Sequence, residues 1–311
     1  MSSQPEQPGR VARRARTLTL ERVNRPQAKP PGFVAGVKEI WSFRELLGNL
    51  VRKELKVRYK DSVLGFLWTL VRPLLQLIVY SVAIGIFLGA RANIPQFGIY
   101  LFTGLLAWSL FTDIIVGCTG SIVSNAGLIK KVYFPRELFP LATVGASVIN
   151  FLLQLPVLLM AYVYTWTAPI ASELLLVPLA LLVLVLFSTA LGLILAASNV
   201  YLRDVQYLVE IVLLLWFWMT PIVYDWTKVR DNLRPISPWL YELYLANPMA
   251  NVVLAFQRAL WPGGHTPMGD PFLYTGDLYL RLGILAVVSA VLLYFAQRIF
   301  ARAQGNFAQE L

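Results

Sequence analysis

Six apolar stretches constrain this chain more than anything else in it. They lie at about 64–89, 98–121, 138–165, 174–197, 207–223 and 278–300 and are nearly free of charge. Each has the length of a helix that crosses a bilayer. Inside lipid every backbone N–H and C=O must be bonded within the chain, and long uninterrupted runs meet that demand as helices. Composition agrees. The chain is 57% hydrophobic and 14% charged, where a soluble domain carries about a quarter charged residues. The expected fold is an all-α polytopic membrane protein of six transmembrane helices. An amphipathic helix precedes them, and external re-entrant helices precede the last span.

Residues 1–37 read as a polar tail. Its first 32 positions hold five prolines and seven basic residues, and such composition cannot bury enough apolar surface to fold. A solvated tail and a lipid-headgroup ligand are both open readings of its arginines. Over 38–62, Phe43, Leu46, Leu47, Leu50, Val51 and Leu55 recur at helical spacing, with Arg44, Arg52, Lys53, Lys56, Arg58 and Lys60 between them. A basic amphipathic helix just before a span is expected in the headgroup plane. The first span contains Arg72-Pro73. Pro73 removes a backbone hydrogen bond to Thr69, and Arg72 must snorkel or face protein or water. The second span carries glycines, a signal of close helix packing.

Between the second and third spans lies Asn125-Ala-Gly-Leu-Ile-Lys-Lys-Val-Tyr-Phe-Pro-Arg-Glu-Leu138. A plain connection needs neither its three basic residues nor its Tyr133-Phe134 pair, which is read as exposed. This stretch is expected to be a docking surface for another protein. The long segment 224–277 holds two helical stripes, one of which starts at Asn247-Pro248. Both are too short to span and fit re-entrant or interfacial helices.

Lys and Arg counts give an orientation. Twenty fall on the side of the N-terminus, the 125–138 stretch and the C-terminus, against five on the other. The positive-inside rule then puts both termini and the docking stretch in the cytoplasm. It also accounts for the net charge of +10 without any nucleic-acid partner.

Catalytic constellations are absent. One histidine, His265, and one cysteine, Cys118, rule out an internal disulfide and make no metal centre. There is no phosphate-binding loop of the Gly-x-x-x-x-Gly-Lys-Ser/Thr type, so no catalytic residue and no metal or cofactor is expected on this chain. A membrane glycosyltransferase would need surface acids and a metal site, and neither is visible. Asp113 is the one acid well inside a span and reads either as an ion site or as a group that packs or lines a polar path. Trp108, Phe111, Trp216, Phe217 and Trp218 read either as part of an interfacial belt or as lining for a glycan path, since aromatic faces stack on sugar rings.

Four stretches carry a family resemblance. They are Lys53-Glu-Leu-Lys-Val-Arg-Tyr-Lys-Asp-Ser-Val-Leu-Gly-Phe-Leu-Trp68, the Ile-Lys-Lys-x-x-Phe-Pro-Arg core of 125–138, Tyr201-Leu-Arg-Asp204 and Thr220-Pro-Ile-Val-Tyr224. In order and spacing the chain resembles, over about 40–305, the Wzm-like permease subunit of ATP-binding-cassette exporters of polysaccharides, O-antigens and teichoic acids. The tail is similar to those of actinobacterial members, whose matching system exports galactan on a polyprenyl carrier.

The resemblance implies a homodimeric plasma-membrane permease with two copies of a separate ATPase subunit, which would hold the ATP and magnesium. It implies that 125–138 is a coupling helix, with Ile129, Lys130, Lys131, Phe134, Pro135, Arg136 and Glu137 in the ATPase cleft and Arg203 and Asp204 as a second contact. It implies an interface helix at 38–62 and gate helices at 235–262. Arg58, Lys60 and Arg72 would receive the pyrophosphate of a lipid-linked glycan, and the five aromatics would line the channel. The family often has an uncharged residue where Arg72 stands. A drug or small-lipid exporter of the same superfamily is the alternative.

Overall fold

The computed structural model describes residues 33–59, 67–131, 134–169, 171–264 and 277–311. Most of the expected tail, Lys60, Tyr133 and His265 lie outside the described residues. Every regular element among the described residues is helical. In chain order the helices are α1 Phe33–Ser42, α2 Arg44–Tyr59, α3 Trp68–Tyr80, α4 Ala90–Asn93, α5 Phe97–Ser124, α6 Ala126–Ile129, α7 Leu138–Thr165, α8 Leu176–Tyr201, α9 Val205–Trp218, α10 Trp226–Ile236, α11 Pro238–Leu245, α12 Pro248–Leu260, α13 Leu278–Ala303 and α14 Phe307–Glu310.

Among the described residues five helical runs are long and apolar enough to cross a membrane: Leu70–Phe87, Phe97–Ser124, Leu138–Thr165, Ala171–Tyr201 and Leu278–Asn306. The run expected at 207–223 is the 14-residue α9. At 1.5 Å per residue it rises about 21 Å, short of the roughly 30 Å hydrocarbon core. It stops where Thr220 turns the chain, its Oγ1 donating to the Trp216 carbonyl at 2.9 Å, and where Pro221 has no N–H to continue the ladder. The six-span expectation becomes five long helices and one shorter one.

Helix α5 is the strut of the bundle. Of its apolar stretch 78% is buried, against 11% for the first run and 17% for the last. It packs against α7, α8, α9 and α12. Glycine permits close approach: a Cβ on Gly192 of α8 would stand 2.8 Å from Cys118 Cβ. The first run changes from α-helix to π-helix over Ser81–Phe87. It then reverses at Gly89, whose φ of +72° falls in the left-handed region that glycine tolerates.

The expected interface helix is two helices, broken at Phe43. Its apolar stripe packs against the bundle. Leu50 is buried, with Phe43, Leu46, Leu47 and Val51 packed beside it against Ile129, Phe134 and Phe139. Helix α12, expected as an amphipathic re-entrant or interfacial helix, is enclosed by protein, with every residue from Met249 to Leu260 buried. It starts where Asn247-Pro248 places it, with Asn247 Oδ1 accepting from the Met249 N–H at 3.0 Å. Its polar residues find partners inside. Asn251 donates to the Leu245 carbonyl at 2.6 Å and Gln257 to the Pro221 carbonyl at 3.0 Å. Arg258 pairs with Glu173 at 2.7 Å, and Glu173 also accepts from the Tyr279 hydroxyl at 3.0 Å.

The Gly192 contact generates a paired test. Gly192→Ala is expected to destabilise the protein, because overpacking costs about 1–3 kcal/mol. Gly283→Ala in α13, where a Cβ meets nothing within 4 Å, is expected to be neutral or mildly stabilising. Thermal unfolding in detergent checks the contrast.

Candidate functional site

The 125–138 stretch is a short platform on apolar anchors. Asn125 ends α5, donating from Nδ2 to the Ser121 carbonyl at 2.8 Å, and its Oδ1 accepts from Lys53 of α2 at 2.5 Å. The one-turn helix α6 follows. Ile129 and Phe134 are buried in the core below, and the Phe134 ring packs on Phe139 with centroids 5.4 Å apart. Phe134 was expected to be exposed. It is buried because it anchors the platform instead of presenting a surface. Leu128, Lys130 and Lys131 are exposed, while Pro135 and Arg136 are half-buried.

Glu137 is buried just before α7 and accepts from Gln304 at 3.3 Å. Burial pushes its carboxyl above the usual carboxylate range, with the Gln304 hydrogen bond opposing the shift. The Arg136 guanidinium lies over the Phe307 ring, 5.8 Å from its centroid. The second turn follows α8. Leu202, Arg203 and Asp204 are exposed there, and the Tyr201 hydroxyl donates to the Ala303 carbonyl at 3.0 Å. Of the nine residues expected to couple, four present charge to the surface: Lys130, Lys131, Arg203 and Asp204. Ile129, Phe134 and Glu137 hold the platform from beneath.

A cleft of about 770 Å³ opens between α2, α3, α5, α7 and α9, within the size range of small-molecule sites. It brings together two of the three residues expected to meet a headgroup, Arg58 and Arg72, with Trp68, Trp108, Asp113, Asn150, Gln154 and Glu210. The third, Lys60, lies outside the described residues. Arg58 Nη1 stands 3.0 Å from Asp113 Oδ2, and about a third of each side chain is exposed. An ion pair this open contributes about 0–1 kcal/mol, so it is weakly held. Arg72 is exposed on the same cleft. Ser109 and Gln154 hydrogen-bond across α5 and α7 at 3.3 Å, adding a neutral polar wall. Asp113 thus has a guanidinium partner 55 positions away and lines the cleft.

The five aromatics divide. Trp108, Phe111 and Phe217 are buried. Phe111 meets Trp216 at 5.3 Å and Trp108 at 5.4 Å, and Trp108 meets Phe217 at 5.6 Å. Trp216 donates from Nε1 to Asn247 at 2.9 Å. These contacts fasten α5, α9 and the turn ahead of α12. Trp108 borders the cleft, and Trp218 borders a second cavity, of about 240 Å³, between the Ser81–Phe87 segment and the 218–228 turn.

The sequence pattern of ABC-2 type transporters matches residues 45–261, a span that takes in the cleft, the platform and α12. This chain belongs to the ABC-2 type transporter family. It is 36% identical to the O-antigen export system permease protein RfbA of Myxococcus xanthus over 281 residues, covering 88% of this chain and 98% of that protein. It is 30% identical to the O-antigen export system permease protein RfbA of Klebsiella pneumoniae, covering 86% and 95%. The polysialic acid transport protein KpsM of Escherichia coli is 24% identical over 69% of this chain and 80% of its own length. These relatives are transport permeases, and this ABC-2 chain is a multi-pass membrane protein.

The buried Glu137 gives a pH test for this permease. Its folded-state pKa is raised, so the folded protein holds the proton more tightly than the unfolded chain. That stabilisation is complete below the unfolded pKa and is lost as pH rises through the folded value. Glu137→Gln keeps an oxygen acceptor for Gln304 and cannot ionise. Its unfolding temperature is expected to fall less with rising pH across the carboxylate range than that of the unmutated protein.

Proposed function

We propose that this permease is the transmembrane half of an ATP-driven exporter that moves a polysaccharide on a polyprenyl diphosphate from the cytoplasm across the plasma membrane. It works as a homodimer with two copies of a separate ATPase subunit, which binds the ATP and magnesium. The observation that carries the reading is the cleft. One opening joins two guanidiniums, which bind phosphate well, to an aromatic and amide wall suited to sugar. Close relatives named for O-antigen export and polysialic acid transport favour a polymer over the alternative, a drug or small-lipid exporter. The Arg- and Pro-rich tail makes a galactan the first glycan to test.

The Lys and Arg asymmetry puts both termini, the platform and the second turn in the cytoplasm. Closure of the ATPase pair on ATP pushes the platform through Leu128, Lys130 and Lys131. Ile129 and Phe134 pass the push to α5 and α7, the helices that wall the cleft. Arg58 releases Asp113 and, with Arg72, holds the diphosphate. The sugar chain then follows Trp108 and the polar wall. A bare diphosphate cannot cross unaided, since even one charged side chain at the bilayer centre costs a few kcal/mol or more.

Depletion in the native host is expected to accumulate a long lipid-linked polymer on the cytoplasmic face, and analysis of that polymer names the sugar. Normal envelope composition without accumulation would move the assignment to a small-molecule exporter. Complementation with Lys130→Glu/Lys131→Glu is expected to restore membrane insertion but not export. Arg72→Leu is expected to slow export with the ATPase subunit still bound; full activity in that variant would leave Arg72 as a snorkelling residue at the interface.

A further inference from the structure

Both surface stretches assigned to the ATPase subunit touch one residue of the C-terminal segment. Phe307 is fully buried. The Arg136 guanidinium of the first stretch lies over one face of its ring at 5.8 Å. Tyr201, at the mouth of the second, meets it edge-on with centroids 6.2 Å apart. Phe300 of α13 closes a third side at 5.4 Å. Two hydrogen bonds repeat the link on either flank: Gln304 donates to Glu137 at 3.3 Å, and the Tyr201 hydroxyl donates to the Ala303 carbonyl at 3.0 Å. Leu311, the last residue, packs against the same core as Ile129 and Phe134.

We propose that residues 303–311 are a clamp, with Phe307 as its positioning residue, that joins the two cytoplasmic stretches into one composite docking surface for the ATPase subunit. The inference rests on the assignment of those stretches to that partner. Separately, each is a weak platform: α6 is a single turn, and the second contact is a three-residue turn between α8 and α9. Joined, they present Leu128 and Leu202, 40% and 67% exposed, among Lys130, Lys131, Arg203 and Asp204. The partner such a surface fits has apolar pockets rimmed by acidic residues. The clamp also makes the movement collective. A push on the platform reaches α7 and, through Phe307, α8 and α13 in the same stroke. Without the clamp the second turn would yield independently, and the stroke would be spent in local bending.

The test is hydrogen exchange and transport in the reconstituted permease–ATPase complex carrying Phe307→Ala. Exchange is expected to quicken together in 126–137 and 201–206, with α5 and α7 protected as before. Polymer exported per ATP hydrolysed is expected to fall by about fivefold or more, with the ATPase subunit still present. Unchanged exchange in either stretch, or unchanged export per ATP, overturns the clamp. Where Phe307→Ala fails to accumulate in the membrane, Phe307→Leu keeps apolar volume without the ring and carries the same readouts. Lys130→Glu/Arg203→Glu, with Phe307 intact, separates the two assignments. If that variant binds its ATPase subunit and exports normally, the docking assignment fails, while the exchange result with Phe307→Ala still decides whether the two stretches are clamped.

Discussion

The structure depends on the close packing of one helix that is buried over most of its length. Helix α5 is apolar on nearly every side, so no face of it distinguishes lipid from protein by hydrophobicity. What holds neighbours against it is contact at short range: the bare backbone of Gly192 against Cys118, the Phe111–Trp216 edge, and hydroxyls that satisfy themselves on their own helix, such as Thr119 on the Ile115 carbonyl at 2.7 Å. In lipid this is the expected source of helix association, because lipid tails are as apolar as leucine. The cleft exists because the packing is incomplete on one side, where α3 and α9 leave α5 partly uncovered.

The fold class was legible because its signal is local. A long apolar run must be a helix in lipid whatever surrounds it, and four of the five full-length helices follow the sequence reading closely. For the fifth, the first run, the expected start at 64 lies outside the described residues. The fate of α9 was less legible, since hydropathy continues past Trp218 through Ile222 and Val223, whereas the helix ends on the backbone chemistry of Thr220-Pro221. The burial of helix α12 was less legible too. Asn251, Gln257 and Arg258 give it an amphipathic pattern, and only the far partners Leu245, Pro221 and Glu173 show that these side chains bond inside the protein.

The candidate site was legible in its parts and not in its assembly. Arg58, Arg72 and Trp108 stood out singly as a cation in a basic helix, a cation in a span and an aromatic in a span. Nothing in their spacing says that they share a cleft, or that Asp113 is the counter-ion of Arg58. Glu173 looked like the lone charge of a short link and is one end of a buried ion pair. Phe134 looked like a probe and is an anchor, because an aromatic beside three cations reads the same in sequence whether it points outward or inward. Phe307 gave only the faintest signal, an apolar residue in a polar tail.

The burial of α12 bears on the order in which the molecule is built. Its 13 residues are too few to span, and with Arg258 among them the segment does not enter a bilayer as an independent helix. Its slot is made by α5 and α8, with Glu173 supplying the counter-charge and Tyr279 of α13 the ring face that receive Arg258. Those walls form from segments that insert on their own hydropathy, and α13 follows α12 in the chain. Helix α12 therefore owes its place to its neighbours and not to its own hydropathy: without α5, α8 and the Glu173 carboxylate it has no slot to occupy.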